Sequence, residues 1–173
     1  IGRLHRLQKR YDEGLDCLLK ALGIFQRVRG MSHIIDTYEE LGYLYSSIDL
    51  PDQAKNSFLK GLEVGKQVKS IGKMARLHLE LGLLYKKENE LELARENIQA
   101  SLDHSLKSQS LSNIIRAYKE LSLIAEESGD FEQAHQLYKA YTAAKDSLYS
   151  QAYNQQWAEI TTAYENEQKE QET

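Results

Sequence analysis

Residues 129–134, Gly-Asp-Phe-Glu-Gln-Ala, decide the fold because relatives of this stretch recur at a fixed interval. Ala94 lies 40 residues before Ala134, Ala54 lies 40 residues before Ala94, and a third step reaches Gly14. A small residue at one interval four times indicates a structural unit that is repeated along the chain. We therefore test for an array of repeats before considering a single central core.

A second block of sequence recurs in the same register. Glu-Leu-Gly-Tyr-Leu-Tyr at 40–45 aligns with Glu-Leu-Gly-Leu-Leu-Tyr at 80–85 and with Glu-Leu-Ser-Leu-Ile-Ala at 120–125. Four residues after each alanine comes a large apolar or aromatic residue, Phe58, Ile98 or Tyr138. These columns predict three full copies of the unit, preceded by a partial one.

Each copy is predicted to be a pair of helices. Tyr38, Leu41, Leu44 and Tyr45 form a stripe at helical spacing, and Ala54 and Phe58 begin a second one. Turn residues separate the two helices, most clearly at 128–130, and others separate successive copies, at 29–30, 70–72 and 108–110. The predicted fold class is all-α, a superhelix of stacked antiparallel helix pairs.

The repeat register also predicts the domain organisation. The array occupies residues 1–146 as about 3.5 repeats, with bounds 1–30 (truncated), 31–70, 71–110 and 111–146. Residues 147–173 are predicted to form a long C-terminal capping or linker helix with a polar tail. Its aromatic stripe is expected to cover the end of the last repeat; the alternative is a partner-binding face. The stripe consists of Tyr149, Tyr153, Trp157, Ile160 and Tyr164.

Composition and motifs exclude several classes of function. The net charge is −4, and the sequence shows no cluster of basic residues that would bind nucleic acid. It contains no run of about 18 apolar residues, the length needed to span a membrane. The one cysteine, Cys17, cannot form an internal disulfide. None of the five histidines belongs to a His-Glu-x-x-His motif, and no Gly-x-Ser-x-Gly elbow or phosphate loop is present. We predict a protein that is not an enzyme and has no metal or cofactor.

The repeat resembles a known family. Leu-Gly-x-x-Tyr at 41–45 and 81–85, together with Gly-Asp-Phe-Glu-Gln-Ala at 129–134, is similar to the tetratricopeptide repeat. The period of 40 residues is longer than the usual 34 or so, and the closing proline is missing, so the chain resembles the longer-helix variety. Gly2 already occupies the Leu-Gly position, so further repeats are expected before Ile1.

The C-terminal part is similar to a narrower group, the tetratricopeptide sensor regions of bacterial histidine kinases and DNA-binding regulators. The similar residues are 138–141 (Tyr-Lys-Ala-Tyr), 145–148 (Lys-Asp-Ser-Leu) and 164–170 (Tyr-Glu-Asn-Glu-Gln-Lys-Glu). This resemblance implies a sensor region on the extracytoplasmic (periplasmic) side, with a membrane span after Thr173. A cytoplasmic location is the alternative.

The family's superhelix implies a concave groove lined by the first helix of each pair. We predict that a protein or peptide ligand binds there, through a basic patch of Arg76, Arg116 and Lys119 and through apolar side chains. The alternative is that these charges are ordinary surface, and that Glu40, Glu80 and Glu120 form ion pairs between repeats. The predicted groove residues are Tyr43, Arg76, Leu79, Leu83, Lys86, Arg116, Lys119 and Leu123.

The predicted function is therefore non-catalytic binding of a protein or peptide, in the interaction region of a bacterial signal-transduction protein. Chaperone tails are disfavoured as ligands, because the family's carboxylate clamp needs Asn where Tyr43, Leu83 and Leu123 stand. One alternative is a free-standing scaffold that assembles soluble partners. Another is a dimerisation module in which two copies of the C-terminal helix pack together.

Overall fold

The computed structural model describes the backbone of residues 11–171 and the side chains of residues 11–159 and 162. This part of the chain folds into seven α-helices and contains no strand. The helices are α1 (Tyr11–Arg27), α2 (Met31–Ser47), α3 (Pro51–Gln67), α4 (Ile71–Lys87), α5 (Leu91–Lys107), α6 (Leu111–Glu127) and α7 (Phe131–Gln171). Counting α1 as the second helix of a first pair, the first helices are α2, α4 and α6, and the second helices are α1, α3, α5 and α7.

The six connections between these helices share one geometry. Each is three residues long, and its third residue donates a backbone hydrogen bond of 2.9–3.0 Å to the carbonyl five residues earlier. The middle residue has a left-handed φ between 54° and 79°, as in the Schellman motif that ends many helices. These middle residues are Arg29, Asp49, Lys69, Asn89, Gln109 and Gly129.

The turns between copies therefore fall where the sequence predicted them, but two glycines do not make them. Gly30 precedes α2 with a φ of −76°, and Gly72 lies inside α4. The left-handed positions beside them belong to Arg29 and Lys69.

The two helices of a pair touch at the small residues of the repeat. A methyl group on Gly82 would lie 2.5 Å from Ile98 Cγ1, and one on Gly42 would overlap the ring of Phe58. Phe58 and Ile98 are fully buried against these glycines, so the missing side chain admits a large one from the partner helix.

The core extends along the array and has no single centre. One cluster of buried residues joins α2, α3 and α4, with Phe58 and Leu81 among its members. A second joins α4 to α7 and includes Leu79, Ile98 and Leu121. Because each helix pair buries its apolar stripe against its neighbours, the all-α superhelical fold predicted from the repeat is confirmed.

The last helix pair departs from this packing. Ser122 stands in the column of Gly42 and Gly82, so this pair has a side chain where the earlier copies have none, and its hydroxyl donates to the Lys119 carbonyl at 2.7 Å. The aligned residue of α7, Tyr138, is 55% exposed, whereas Phe58 is 1% exposed. Leu137 and Ala144 pack against the second core cluster instead.

The aromatic stripe of α7 does not cover the end of the last repeat. Tyr149, Tyr153 and Trp157 are 63%, 60% and 53% exposed, so that prediction was wrong for these three residues. The reason is that α7 runs on as one helix of 41 residues past the end of α6, and residues 146–159 are all exposed. Ile160 and Tyr164 lie outside the described side chains, and the boundary predicted between residues 146 and 147 falls inside α7 and stays a prediction.

Candidate functional site: the face formed by the first helices

Ion pairs bridge one first helix to the next. The guanidinium of Arg76 on α4 donates two hydrogen bonds to the carboxylate of Glu39 on α2, at 3.0 and 2.7 Å. Asp36, one helical turn before Glu39, accepts from Lys73 and lies 3.5 Å from Arg76 Nη2. Residues three and four apart share a helix side, so these contacts join one side of α2 to one side of α4.

The same kind of contact joins α4 to α6. Arg116 Nη2 donates to Glu80 Oε1 at 2.9 Å. In a second pair the cation is on α4 and the carboxylate on α6. Lys86 donates to Glu120 Oε2 at 3.2 Å and lies 3.5 Å from Glu127 Oε1. Glu80 and Glu120 thus take part in ion pairs between repeats, as the alternative interpretation of this column predicted.

Burial raises the pKa of two residues on this face. Desolvation raises the pKa of the Glu39 carboxyl, although the hydrogen bonds from Arg76 oppose the shift. Burial, followed by the carboxylates of Glu80 and Glu39, raises the pKa of the Tyr43 hydroxyl. Tyr43 therefore stays protonated at neutral pH and can donate a hydrogen bond to Glu80.

The structure places the predicted groove residues in four different environments, of which three are accessible to solvent. Tyr43, Leu83 and Leu123 are half-buried, at the same position of successive first helices, and we call them the apolar column. Arg76, Lys86 and Arg116 are held by carboxylates of neighbouring first helices. Lys119 is exposed.

Leu79 was wrongly assigned to the ligand-binding face. Its side chain is fully buried in the second core cluster, so it cannot contact a ligand without opening the fold. The same column holds Glu39 in the preceding copy, which is also buried, and the exposed Lys119 in the following one. The column therefore lies at the edge of the core, and its environment changes along the array.

The basic patch predicted from Arg76, Arg116 and Lys119 is largely neutralised. Acidic residues of the preceding first helix pair with both arginines, so their charge is offset within the fold. The sequence analysis missed the Arg76–Glu39 pair, whose members lie 37 residues apart in the chain. The signal that could have found it is the opposite charge of residues 36 and 39 against residues 73 and 76.

A cavity between α1 and α2 was not predicted. Its volume is about 470 Å³, and apolar side chains of α1, including Leu18, Ile24 and Phe25, form much of its wall. In the next copy, Tyr38 of α2 packs beside Gly61 of α3. A methyl group added to Gly61 would lie 3.3 Å from Tyr38 Cβ. The position of Ala21 is aligned with Gly61, so the cavity lies where a bulky first-helix residue packs in the next copy.

Within residues 11–159, no group of three or more His, Cys, Asp or Glu side chains is arranged to hold a metal ion. None of the seven helices described above has the length and apolar character that crossing a membrane requires.

The fold and this face define a superhelical array of helix pairs whose first helices present a mixed apolar and charged surface. The family model for the tetratricopeptide repeat matches residues 1–67. That match and the fold together support a tetratricopeptide repeat domain, a class that generally serves as a non-enzymatic scaffold for protein interaction.

Solved structures share the fold at low sequence identity. The apo form of RapI is 17% identical with a TM-score of 0.80, over 85% of this chain and 41% of that one. Aspartyl phosphate phosphatase F from Bacillus subtilis is 15% identical with a TM-score of 0.80, over 85% and 39%. Nearly identical TPR-like repeats from Podosopora anserina are 15% identical with a TM-score of 0.68, over 84% and 72%.

The chain thus spans about two-fifths of the length of the first two of these structures. No curated protein matches it by sequence.

Proposed function

We propose that this chain is a non-catalytic module that binds a segment of another protein on the face formed by its first helices. The supporting observation is the apolar column of Tyr43, Leu83 and Leu123, which recurs at one position of α2, α4 and α6 and remains partly accessible. Half-buried apolar side chains flanked by paired charges are typical of a protein-binding surface.

The charge pairing on this face shapes the expected ligand. Arg76 and Arg116 already pair with carboxylates of the protein, so an anionic ligand would compete with Glu39 or Glu80 for them. Recognition is therefore assigned to apolar side chains of the ligand, which contact the apolar column. Lys119 and the exposed parts of the ion-paired side chains contribute mainly to the orientation of the ligand and to its association rate.

Selection from a displayed library of random peptides tests this proposal. Selected peptides should bind the wild-type chain and bind Leu83→Gln/Leu123→Gln at least about tenfold more weakly, a loss of about 1.4 kcal/mol. The matched control is Leu59→Gln/Leu106→Gln, which changes two exposed leucines of the second helices α3 and α5. It should leave affinity unchanged, and thermal melting of all variants shows whether each is folded.

Two outcomes contradict the proposal. One is that selection yields no peptide with measurable affinity. The other is that binding depends on the control leucines and not on the apolar column. The first would show that the chain does not bind peptides. The second would place the binding site on the second helices.

We further propose that this binding serves signal transduction in a bacterial membrane protein, with the array on the extracytoplasmic side. The support is the resemblance of residues 138–141, 145–148 and 164–170 to sensor regions of that kind. The coding sequence after Thr173 tests it: an apolar span of about 20 residues followed by kinase or helix-turn-helix motifs supports it. A stop codon there overturns it and favours the free-standing scaffold.

A second candidate function is self-association through the C-terminal helix. The observation that favours it is the exposure of Tyr149, Tyr153 and Trp157 on α7.

A further inference from the structure

A line of exposed aromatic side chains follows the free part of α7. Tyr149, Tyr153 and Trp157 are each more than half exposed and are spaced by four residues, so they lie along one side of the helix. Tyr153 and Trp157 meet edge to face, with ring centroids 6.2 Å apart. Together these three residues form what we call the α7 stripe.

The part of α7 that carries the stripe is exposed, unlike the first part of the helix, which packs against the second core cluster. Residues 146–159 are all exposed, and residues 147–158 include no charged side chain. A helix without tertiary packing depends on favourable pairs along its own surface, and ion pairs are absent from this stretch of the described structure. Burial of the exposed stripe against another surface would add tertiary packing to this stretch.

The sequence around the stripe is complementary to itself when reversed. Tyr149 and Trp157 are equidistant from Tyr153. The Lys145 ammonium lies 5.9 Å from the ring centroids of Tyr141 and Tyr149. Lys145 and Glu159, which carry opposite charges, are equally far from residue 152 in the sequence.

The charges farther out follow the same symmetry. Lys139 is balanced by Glu165 about residue 152, and the sequence beyond Glu159 contains four glutamates and one lysine. Two antiparallel copies of α7 that cross near residues 152–153 would therefore match aromatic with aromatic and lysine with glutamate. Two parallel copies in register would set Lys145 against Lys145.

We propose that the α7 stripe binds the α7 stripe of a second copy of this chain, antiparallel, with the twofold axis near Tyr153. Such an interface is isologous: Tyr149 of one copy contacts Trp157 of the other, and Tyr153 contacts its own counterpart. The inference deepens the second candidate function and is independent of ligand binding on the first helices, since α7 is not one of them.

Disulfide cross-linking of the full chain tests the arrangement. In a Cys17→Ala background, which removes the only native cysteine, Tyr153→Cys should form a covalent dimer under mild oxidation. Tyr149→Cys alone and Trp157→Cys alone should not, because each would lie about 12 Å along the axis from its own counterpart. An equimolar mixture of those two variants should give the cross-linked heterodimer.

Charge exchange supplies a second measurement, by sedimentation equilibrium at low salt. Lys145→Glu should raise the dimer dissociation constant by about tenfold or more, and adding Glu159→Lys should restore it. Tyr153→Glu should give a monomer, whereas the matched control Phe131→Glu, on an exposed aromatic residue at the start of α7, should remain dimeric.

Two results would overturn the proposal. A wild-type chain that stays monomeric at the highest attainable concentration removes the interface. Self-cross-linking of Tyr149→Cys and Trp157→Cys, with no rescue by the charge exchange, would show a parallel pair instead. Neither result bears on peptide binding to the apolar column.

Discussion

Gly82 shows how much of the packing depends on single residues. A methyl group there would lie 2.5 Å from Ile98 Cγ1 and 3.1 Å from the Ala94 carbonyl oxygen. The side-chain atom could move, but the backbone of α5 is fixed by its own hydrogen bonds. The distance between α4 and α5 is therefore set by the absence of a side chain at Gly82.

We predict that Gly82→Ala destabilises the chain by about 1–3 kcal/mol through overpacking, despite alanine's better helix propensity. The matched control is Gly23→Ala in α1, where an added methyl meets nothing within 4 Å. That control should stabilise the chain by up to about 1 kcal/mol. Urea unfolding measures both, and equal effects of the two substitutions would contradict the packing argument.

His78 and His104 form a second residue-scale feature, where α4 meets α5. Their rings stack with centroids 5.6 Å apart, and His78 Nδ1 lies 3.1 Å from Asn97 Oδ1. Burial lowers the pKa of both imidazoles. Lys66 and Lys107 act in the same direction on His104, and Asp103 opposes them.

We predict that the chain loses stability as the pH falls below about 6.5, the pKa of an unperturbed histidine. Because the folded pKa values are lowered, the unfolded chain binds more protons in this range, and stability is retained above it. His78→Tyr, which installs the residue of the aligned positions 38 and 118, should reduce the drop in melting temperature between pH 7.5 and 5. The exposed His135→Tyr should leave that drop unchanged.

At the scale of the helix, the bridging ion pairs hold neighbouring first helices to one another. Glu39 is buried, and its carboxylate depends on Arg76 for two hydrogen bonds. Removing one partner leaves a buried charge without compensation, which costs more than the intact pair contributes.

We predict that Arg76→Ala destabilises the chain by about 1–3 kcal/mol, because Glu39 then loses its hydrogen bonds in a buried site. Glu39→Gln should recover part of this loss in the double variant. Lys20→Ala, which breaks an exposed pair with Asp16 within α1, is the control and should give no measurable change in urea unfolding. A silent Arg76→Ala would show that the pair is only a surface contact.

The positions of the helices could be predicted from sequence, whereas two features at their ends could not. The stripes of Tyr38 and Leu41 and of Ala54 and Phe58 placed the helix pairs correctly. The turns were assigned partly to glycines, but Arg29 and Lys69 adopt the left-handed conformation, because the helix-ending hydrogen bonds hold them there. The last helix α7 continues as one helix to Gln171, and no local pattern of its sequence specifies where it leaves α6.

At the scale of the whole molecule, the family resemblance implied a groove lined by the first helices, but the chemistry of that face was only partly predicted. The apolar column of Tyr43, Leu83 and Leu123 is half-buried, and its contact with a ligand stays a prediction. The burial of Leu79 and the neutralisation of Arg76 and Arg116 were missed. Both depend on how far one pair is rotated against the next, and this rotation is a tertiary quantity that helical periodicity does not contain.

The six connections of identical length and geometry imply that the array can be lengthened by genetic duplication. Every helix from α1 to α6 has 17 residues, followed by three in the connection, so a 40-residue segment can be inserted at a turn without a change of register. We predict that a second copy of residues 71–110, inserted after Ser110, gives a folded chain with proportionally more helix by circular dichroism. The junction from α5 to the inserted α4 is new, but it keeps the three-residue turn and the repeat register, so the melting temperature should equal or exceed that of the parent. An aggregated or partly unfolded product would mean that the repeats are not interchangeable, despite their common turns.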